Sequence, residues 1–325
     1  MLTVYAAKAG TLVAEPHDAG RPLPERAVWL DLVSPTPAED KAVEACVEVS
    51  IPTREDMAEI EASSRLYVED GARYMTASII AGVESDRVGL VNVSFILVGD
   101  RLVTVRHGTP RVIDLYIQRI CKLAKAPTKG DLILFGLIEA VIDRTADILE
   151  KVGIEIDETS QRVFREHRGP VRAKKDYMTM LRQIGRKGDL LSMARESLVS
   201  LSRMVGFLSV AYEKGRGTAE KRAQLIVMQR DADSLRDHVS YLNDKVMFLL
   251  DAIVGMVTIE QNDVMKIFSI VAVILMPPTL IASTYGMNFQ NMPELDEWWG
   301  YPAALVLMLA SAILPYVYFR RKRWL

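Results

Sequence analysis

Ten positions between Asp251 and Ser283 recur at alternating intervals of four and three: Asp251, Gly255, Thr258, Asn262, Met265, Ser269, Ala272, Met276, Thr279 and Ser283. That alternation traces one seam along an α-helix of a bundle. A dry seam would carry Leu and Ile, whereas this one is small, polar or Met. Close packing of lipid-embedded helices through small residues is one use for such a seam. Asp251 and Asn262 favour another, because both would be costly in a dry contact. The chemistry on offer is passage: a wetted wall whose oxygens and amides hydrogen-bond a solute and its water.

The elements that must carry this seam are apolar. Ile267 to Tyr285 is nineteen residues without a charge, and Trp298 to Phe319 is twenty-two more. Each is long enough to cross a hydrocarbon core of about 30 Å as a helix rising about 1.5 Å per residue. Trp298, Trp299 and Tyr301 mark one membrane interface. Arg320, Arg321, Lys322 and Arg323 follow the second span, while the connecting loop holds Glu294, Asp296 and Glu297 and no base. The positive-inside rule therefore predicts a multi-pass cell (inner) membrane protein with both termini cytoplasmic. Two spans per chain cannot enclose a pore, so a conduction path requires a homo-oligomer with one seam per protomer. Pro277 and Pro278 remove two backbone donors and free the carbonyls of Val273 and Ile274. A hydrated lumen or a neighbouring helix would satisfy them, and a simple kink is the plainer reading.

The rest of the chain is unlike its tail. Of 325 residues 25% are charged, with 40 Lys and Arg against 42 Asp and Glu, but only eight charges fall after Asp263. A net charge of −2 gives no case for nucleic acid. Cys46 and Cys121 form no metal or disulfide pattern, which suits a reducing compartment, and the N-terminus shows no signal peptide. Ala27–Leu32, Val91–Leu97 and Arg101–Arg106 read as strands, and Pro37 and Thr53 begin short helical stretches. From about Leu132 the pattern is helical, with breaks expected at Gly169-Pro170 and Gly215-Arg216-Gly217. Beyond Thr218, a plausible N-cap, no stop precedes Tyr285. An unbroken helix there would measure roughly 100 Å. The expected organisation is an α/β cytosolic domain (1–131), a helical hairpin and stalk helix (132–263), a pore-lining first transmembrane helix (264–285), an external loop (286–300), a second transmembrane helix (301–319) and a basic tail (320–325).

At the outer end of the first span stands Tyr285-Gly286-Met287-Asn288-Phe289, followed by Met292-Pro293-Glu294-Leu295. With the terminal Arg320-Arg321-Lys322-Arg323-Trp324-Leu325, this resembles the signature of the CorA family of magnesium channels. The likeness is close over 262–325 and looser upstream, where Ala27–Leu32 and Ser64–Tyr67 are also similar to the family's cytosolic domain. The resemblance implies a homopentameric funnel, no enzymatic activity, and Mg²⁺ as both transported and regulatory ion, with Co²⁺ and Ni²⁺ as secondary ions. It places Gly286, Met287 and Asn288 at the selective outer mouth. Mg²⁺ dehydrates reluctantly, so neutral acceptors such as the Asn288 amide and Gly286 carbonyl suit its water shell. Acids such as Glu294 would concentrate cations there.

The same resemblance puts Asp251, Asn262, Met265, Phe268, Met276 and Thr279 along the pore. Met265 and Met276 would be apolar constrictions, Phe268 would stand where relatives often carry an aliphatic gate, and Asp251 would ring the cytosolic mouth. Arg320, Arg321, Lys322 and Arg323 would ring the stalk, or else hold anionic membrane lipid. A regulatory Mg²⁺ site between protomers is also implied. Its expected stalk position is Val227, so Asp231 and Asp233 are the substitutes, with Glu69 and Asp70 opposite. The tip that is often acidic in relatives is basic here, from Arg165 to Lys175. His17, His107, His167 and His238 are scattered and read as structural or surface residues. A zinc transporter of the same superfamily is the first alternative, disfavoured by a seam without His or Cys. A membrane-anchored enzyme or signalling domain is the second, and no phosphate loop, His-Glu-x-x-His or nucleophile elbow supports it.

Overall fold

The computed structural model describes residues 1–8, 11–85, 87–123, 126–164, 176–213, 218–287, 292 and 297–322. Asn288, Glu294, Asp296, His167, Arg323 and the basic tip 165–175 lie outside the described residues, as do the expected breaks at 169–170 and 215–217. The chain divides into two compact units, Met1–Leu250 and Asp251–Leu325.

The first unit is built on a seven-stranded mixed sheet of order β2-β1-β3-β7-β6-β5-β4. Its strands are β1 (Leu2–Lys8), β2 (Thr11–His17), β3 (Ala27–Val33), β4 (Leu66–Glu69), β5 (Ala72–Ala81), β6 (Gly89–Val98) and β7 (Arg101–Arg106). All neighbours are antiparallel except β3 and β7, which pair in parallel from Trp29↔Leu102 to Val33↔Arg106. Central β3 is buried on both faces, as its unbroken apolar run requires apart from Asp31.

Asp31 is accommodated by a network of its own. Arg106 donates to its carboxylate through Nη2 at 2.8 Å and Nε at 3.3 Å, and Thr104 Oγ1 donates at 2.6 Å. Trp29 Nε1 in turn donates to Thr104 Oγ1 at 2.9 Å. Burial works against the guanidinium charge, yet the hydrogen bonds and charge of Asp31 outweigh it and raise the Arg106 pKa. A buried pair of this kind fixes which residues of β3 and β7 face each other.

Helices α1 (Pro37–Val47), α2 (Arg54–Ala58) and α3 (Ala62–Arg65) connect β3 to β4. The first two open on capping boxes, Thr36 with Glu39 and Thr53 with Asp56, so their orphan N–H groups are satisfied locally. Arg65 ties this connection down, donating to the Glu59 carbonyl at 2.5 Å and to Ser78 Oγ at 3.2 Å. After β7 come α4 (Arg111–Ile120), α5 (Gly130–Phe164) and α6 (Tyr177–Glu213). Four-residue β4 leaves much of β5 unpaired on one side, and α6 covers that edge. Ser200 Oγ there accepts from the backbone N–H of Ser78 at 3.0 Å.

The seventh helix, α7, runs unbroken from Ala219 to Tyr285. Its N-terminal portion, within the first unit, is fixed to α5 by Lys221–Asp131 and Lys245–Asp157 ion pairs and by stacking of Phe248 on Phe164 with centroids 5.9 Å apart. Thr218 Oγ1 accepts from Lys221 N at 3.4 Å, which caps its start. Asp131 also accepts from Tyr212 Oη at 3.1 Å, so one carboxylate joins α5, α6 and α7. The second unit holds the remainder of α7 and a final helix, α8 (Gly300–Arg321). The helical stretch expected to begin at Thr53 is a short one. It stops at Ala58, where Glu59 turns to an extended conformation.

Candidate ion path

In the second unit the apolar residues are turned outward. Of the most apolar 18-residue stretch of α7 only 6% is buried, and of α8 none. Leu280 is 67% exposed and Leu314 70%. Core helices of a soluble protein would hide these side chains, and a water-soluble chain would not present such a surface. Lipid, further copies of the chain, or both must cover them.

The seam positions lie on this exposed surface. Asp251, Asn262, Met265, Met276 and Thr279 are exposed, as are Phe268 beside the seam and most off-seam residues of the helix, Ile267 and Leu275 among them, while Ile253 and Ile270 are buried. Among the described residues of the unit nothing covers the seam, so its polar members meet solvent or another molecule. α7 passes Pro277 and Pro278 without breaking, so Val273 and Ile274 lose their usual N–H partners inside a continuous helix. It closes at Gly286, whose N–H donates to the Ala282 carbonyl at 2.9 Å, followed by Met287 N–H to the Thr284 carbonyl at 3.3 Å. The motif's glycine and methionine therefore sit at the helix terminus, with Met287 half exposed.

At the other end of the unit, Arg320 and Arg321 occupy the last turn of α8, and Lys322 is its C-cap. Three bases at a helix C-terminus complement its partial negative charge. Trp299 caps the opposite end, and Trp298 is 88% exposed beside it. Aromatic residues thus mark one end of α8 and bases the other.

The four acids considered for regulation are treated differently by the fold. Asp70 and Gly71 both have positive φ, +48° and +78°, and Glu69 pairs with Ala72. That is a two-residue type I′ hairpin joining β4 and β5, for which Asp-Gly is a preferred sequence. Asp233 is engaged within its own chain, accepting from Ser202 Oγ at 3.1 Å and Gln229 Nε2 at 3.2 Å, and pairing with Arg236 at 3.2 Å. Asp231 is exposed. The structure does not gather Asp231, Asp233, Glu69 and Asp70 into one group. Among the described residues no three His, Cys, Asp or Glu side chains are placed to hold a metal ion. His17 lies 3.1 Å from the Arg21 carbonyl and His238 stacks on Tyr241.

A mixed α/β unit, one very long helix and a second apolar helix, with exposed spans and a polar seam, define a two-span membrane transport protein. The chain belongs to the CorA family: residues 24–321 match the family described as CorA-like Mg²⁺ transporter protein. It is 32% identical over 325 residues, all of both chains, to the magnesium transport protein CorA of Escherichia coli K12. To that of Salmonella typhimurium LT2 it is 33% identical over 299 residues, 92% of each chain. Among solved structures, the complete CorA magnesium transporter of Methanocaldococcus jannaschii superposes with a TM-score of 0.75 at 18% identity, covering 100% of this chain and 99% of that one. The full-length CmaX protein gives a TM-score of 0.70 at 15% identity, covering 99% and 97%. The ZntB cytoplasmic domain of Vibrio parahaemolyticus gives 0.58 at 12%, covering 78% and 96%. The fold is therefore shared with CmaX and with the ZntB cytoplasmic domain, while sequence identity points to the magnesium transport proteins.

Proposed function

We propose that this chain is a Mg²⁺ channel: a homo-oligomer, pentameric by family, in which the α7 seam of each protomer lines one hydrated path. The observation that carries the reading is the exposed small and polar seam from Asp251 to Thr279, which runs on into the uncharged stretch 267–285 of the same helix. Full-length identity to proteins named for magnesium transport supports the ion. Gly286, Met287 and Asn288 would form the outer mouth and accept hydrogen bonds from the ion's water. Met265, Phe268 and Met276, exposed side chains at successive levels, would supply constrictions that dewet when narrowed.

In this reading residues 1–131 and 132–263 form the cytosolic body and stalk, 264–285 the lining span, 286–300 the external loop and 301–319 the outer span. The basic tail 320–325 faces the cytoplasm by the positive-inside rule, where it meets anionic lipid. Co²⁺ and Ni²⁺ are secondary ions. Cytosolic Mg²⁺ would close the channel through acids facing one another between protomers, Asp231 among them because it is exposed. Influx of Mg²⁺ into liposomes containing the purified chain tests the function. The parent should transport and Asn288→Ala should lose most of the flux. No flux in the parent refutes the channel, and full flux in the variant refutes the outer-mouth assignment.

A further inference from the structure

A cleft of about 830 Å³ lies within the first unit, between α5, α6 and the turn that joins β5 to β6. That size suits a small organic ligand. Buried Ile148 and Val152 line it, beside half-buried Val88 and Met193. Arg144, Lys151, Arg186 and Lys187 enter it, as do Glu84, Asp147, Glu155 and Asp189. Five of these eight charges are committed to one another. Arg144 donates to Glu84 at 2.7 Å and lies 3.9 Å from Asp147, and Lys187 pairs with Glu155. Among the described residues, the side chains of Lys151, Arg186 and Asp189 have no ion pair or hydrogen bond. Two bases and one acid are therefore left to meet something else.

The helix register brings these three together. Lys187 pairs with Glu155; 24 residues earlier on α5, Asp131 meets Tyr212, 25 residues later on α6. The two helices therefore run antiparallel in a constant register, which sets Lys151 and Arg186 roughly 7.5 Å apart along their axes. Asp189 falls between those two levels. We infer that this cleft binds a Mg²⁺-complexed oligophosphate, the chemistry of a nucleoside di- or triphosphate. Lys151 and Arg186, long and flexible, hold successive phosphates through charge-assisted hydrogen bonds. A bare polyanion would be repelled by Asp189 and by Asp147, one turn before Lys151. Mg²⁺ on the phosphates removes that conflict, because it keeps several waters and is held by one or two carboxylates together with the phosphates themselves. Acids and bases in equal number thus suit the metal complex better than the free anion. Val88 and Met193 supply an apolar wall for the organic group. The site belongs to the first unit and is read by binding, so it stands or falls separately from transport.

Equilibrium dialysis of ATP and of inorganic triphosphate against the full chain in detergent, with millimolar Mg²⁺ or with EDTA, tests the site. Both probes should bind in Mg²⁺, and about tenfold more weakly in EDTA. Lys151→Ala with Arg186→Ala removes two charge-assisted contacts and should weaken binding in Mg²⁺ about a hundredfold. Arg182→Ala with Arg195→Ala, exposed bases of α6 outside the cleft, should leave it within about twofold. Asp189→Asn should weaken binding in Mg²⁺ yet strengthen it in EDTA, a reversal that a purely structural role would not produce. Tighter binding of ATP than of triphosphate would support the site and assign the apolar wall to the nucleoside; equal affinity would support it through the phosphates alone. No binding of either probe to the parent, or undiminished binding in Lys151→Ala with Arg186→Ala, would overturn the site. Equal binding with and without Mg²⁺ would overturn the metal complex as its ligand.

Discussion

Asp31→Asn changes one oxygen to a nitrogen in the most buried charge network of the protein, and its cost follows from the geometry. Side chains of Asp31 and Arg106 are 3% and 4% exposed, so solvent does little to screen them. Asparagine can still accept from Thr104 at the Oδ1 position, but its amide would face Arg106 Nη2 across 2.8 Å, donor against donor. Asp114 lies 3.5 Å from the same Nη2, but its side chain is half exposed and supplies a screened substitute. Among the described residues Arg106 Nη1 has no hydrogen-bond partner, so no second contact holds the guanidinium in place of Asp31.

Stranding a buried charge in this way costs about 3–5 kcal/mol, against a total domain stability of about 5–15 kcal/mol. Hydrogen exchange of β3 and β7 amides in the full chain in detergent should accelerate about a hundred- to several-thousand-fold, since each tenfold corresponds to about 1.4 kcal/mol. Asp31→Leu combined with Arg106→Met removes both charges and should recover most of the protection, because a buried pair is worth little more than apolar residues of similar volume. Acceleration of less than tenfold in Asp31→Asn would refute the argument that this pair secures the β3–β7 junction. A double variant as unprotected as the single would refute the stranded charge as the cause.

Further outcomes follow from other contacts. Gly130→Ala places a methyl carbon 2.4 Å from the Leu102 backbone nitrogen and 2.5 Å from the Arg101 carbonyl carbon. Overpacking against backbone should cost about 1–3 kcal/mol and lower the thermal midpoint, whereas Gly71→Asn, at a positive φ Asn tolerates, should change it little. Glu84 accepts from Arg111 and from Arg144, and the Arg111 hydrogen bond is the leading cause holding its carboxylate below the usual glutamate pKa. A lowered folded pKa means the clasp is fully present above the unfolded value and is lost as pH falls through the folded one. Protection factors in the β5–β6 turn, taken relative to the intrinsic exchange rate at each pH, should therefore fall on acidification from pH 6 to about 3.5 and be insensitive to it in Glu84→Gln. Protease resistance of α7 should increase with millimolar Mg²⁺ in the parent and not in Asp231→Ala with Asp233→Ala. Equal digestion with and without Mg²⁺ in the parent would refute cytosolic sensing through these acids.

What the residues disclosed depended on how local each signal was. β3, β6 and β7 are visible as apolar or alternating runs because burial repeats along each strand. β5 was missed because Ala72–Ala81 is rich in small residues that are buried only when α6 covers them. The Asp70-Gly71 pair is a local hairpin signal for β4 and β5. β1 and largely exposed β2 carry weaker patterns, while α4 has a helical spacing at Val112, Ile113, Tyr116 and Ile120. The seam was legible because period and polarity are properties of sequence. Asp31 and Arg106, 75 residues apart, are united only by the parallel pairing of β3 with β7. Asp233 likewise meets Ser202 only through helix packing.

Cysteine accessibility along the lining span tests the account most directly. With Cys46 and Cys121, the two native cysteines, replaced by serine, single cysteines would be placed at 265, 269, 272, 276 and 279 and at off-seam 267, 270, 274 and 281. A water-soluble thiol reagent should modify the first set and block Mg²⁺ influx, while leaving the second set unmodified. Reactivity confined to the off-seam set, or modification of the seam without effect on influx, would contradict a path lined by α7.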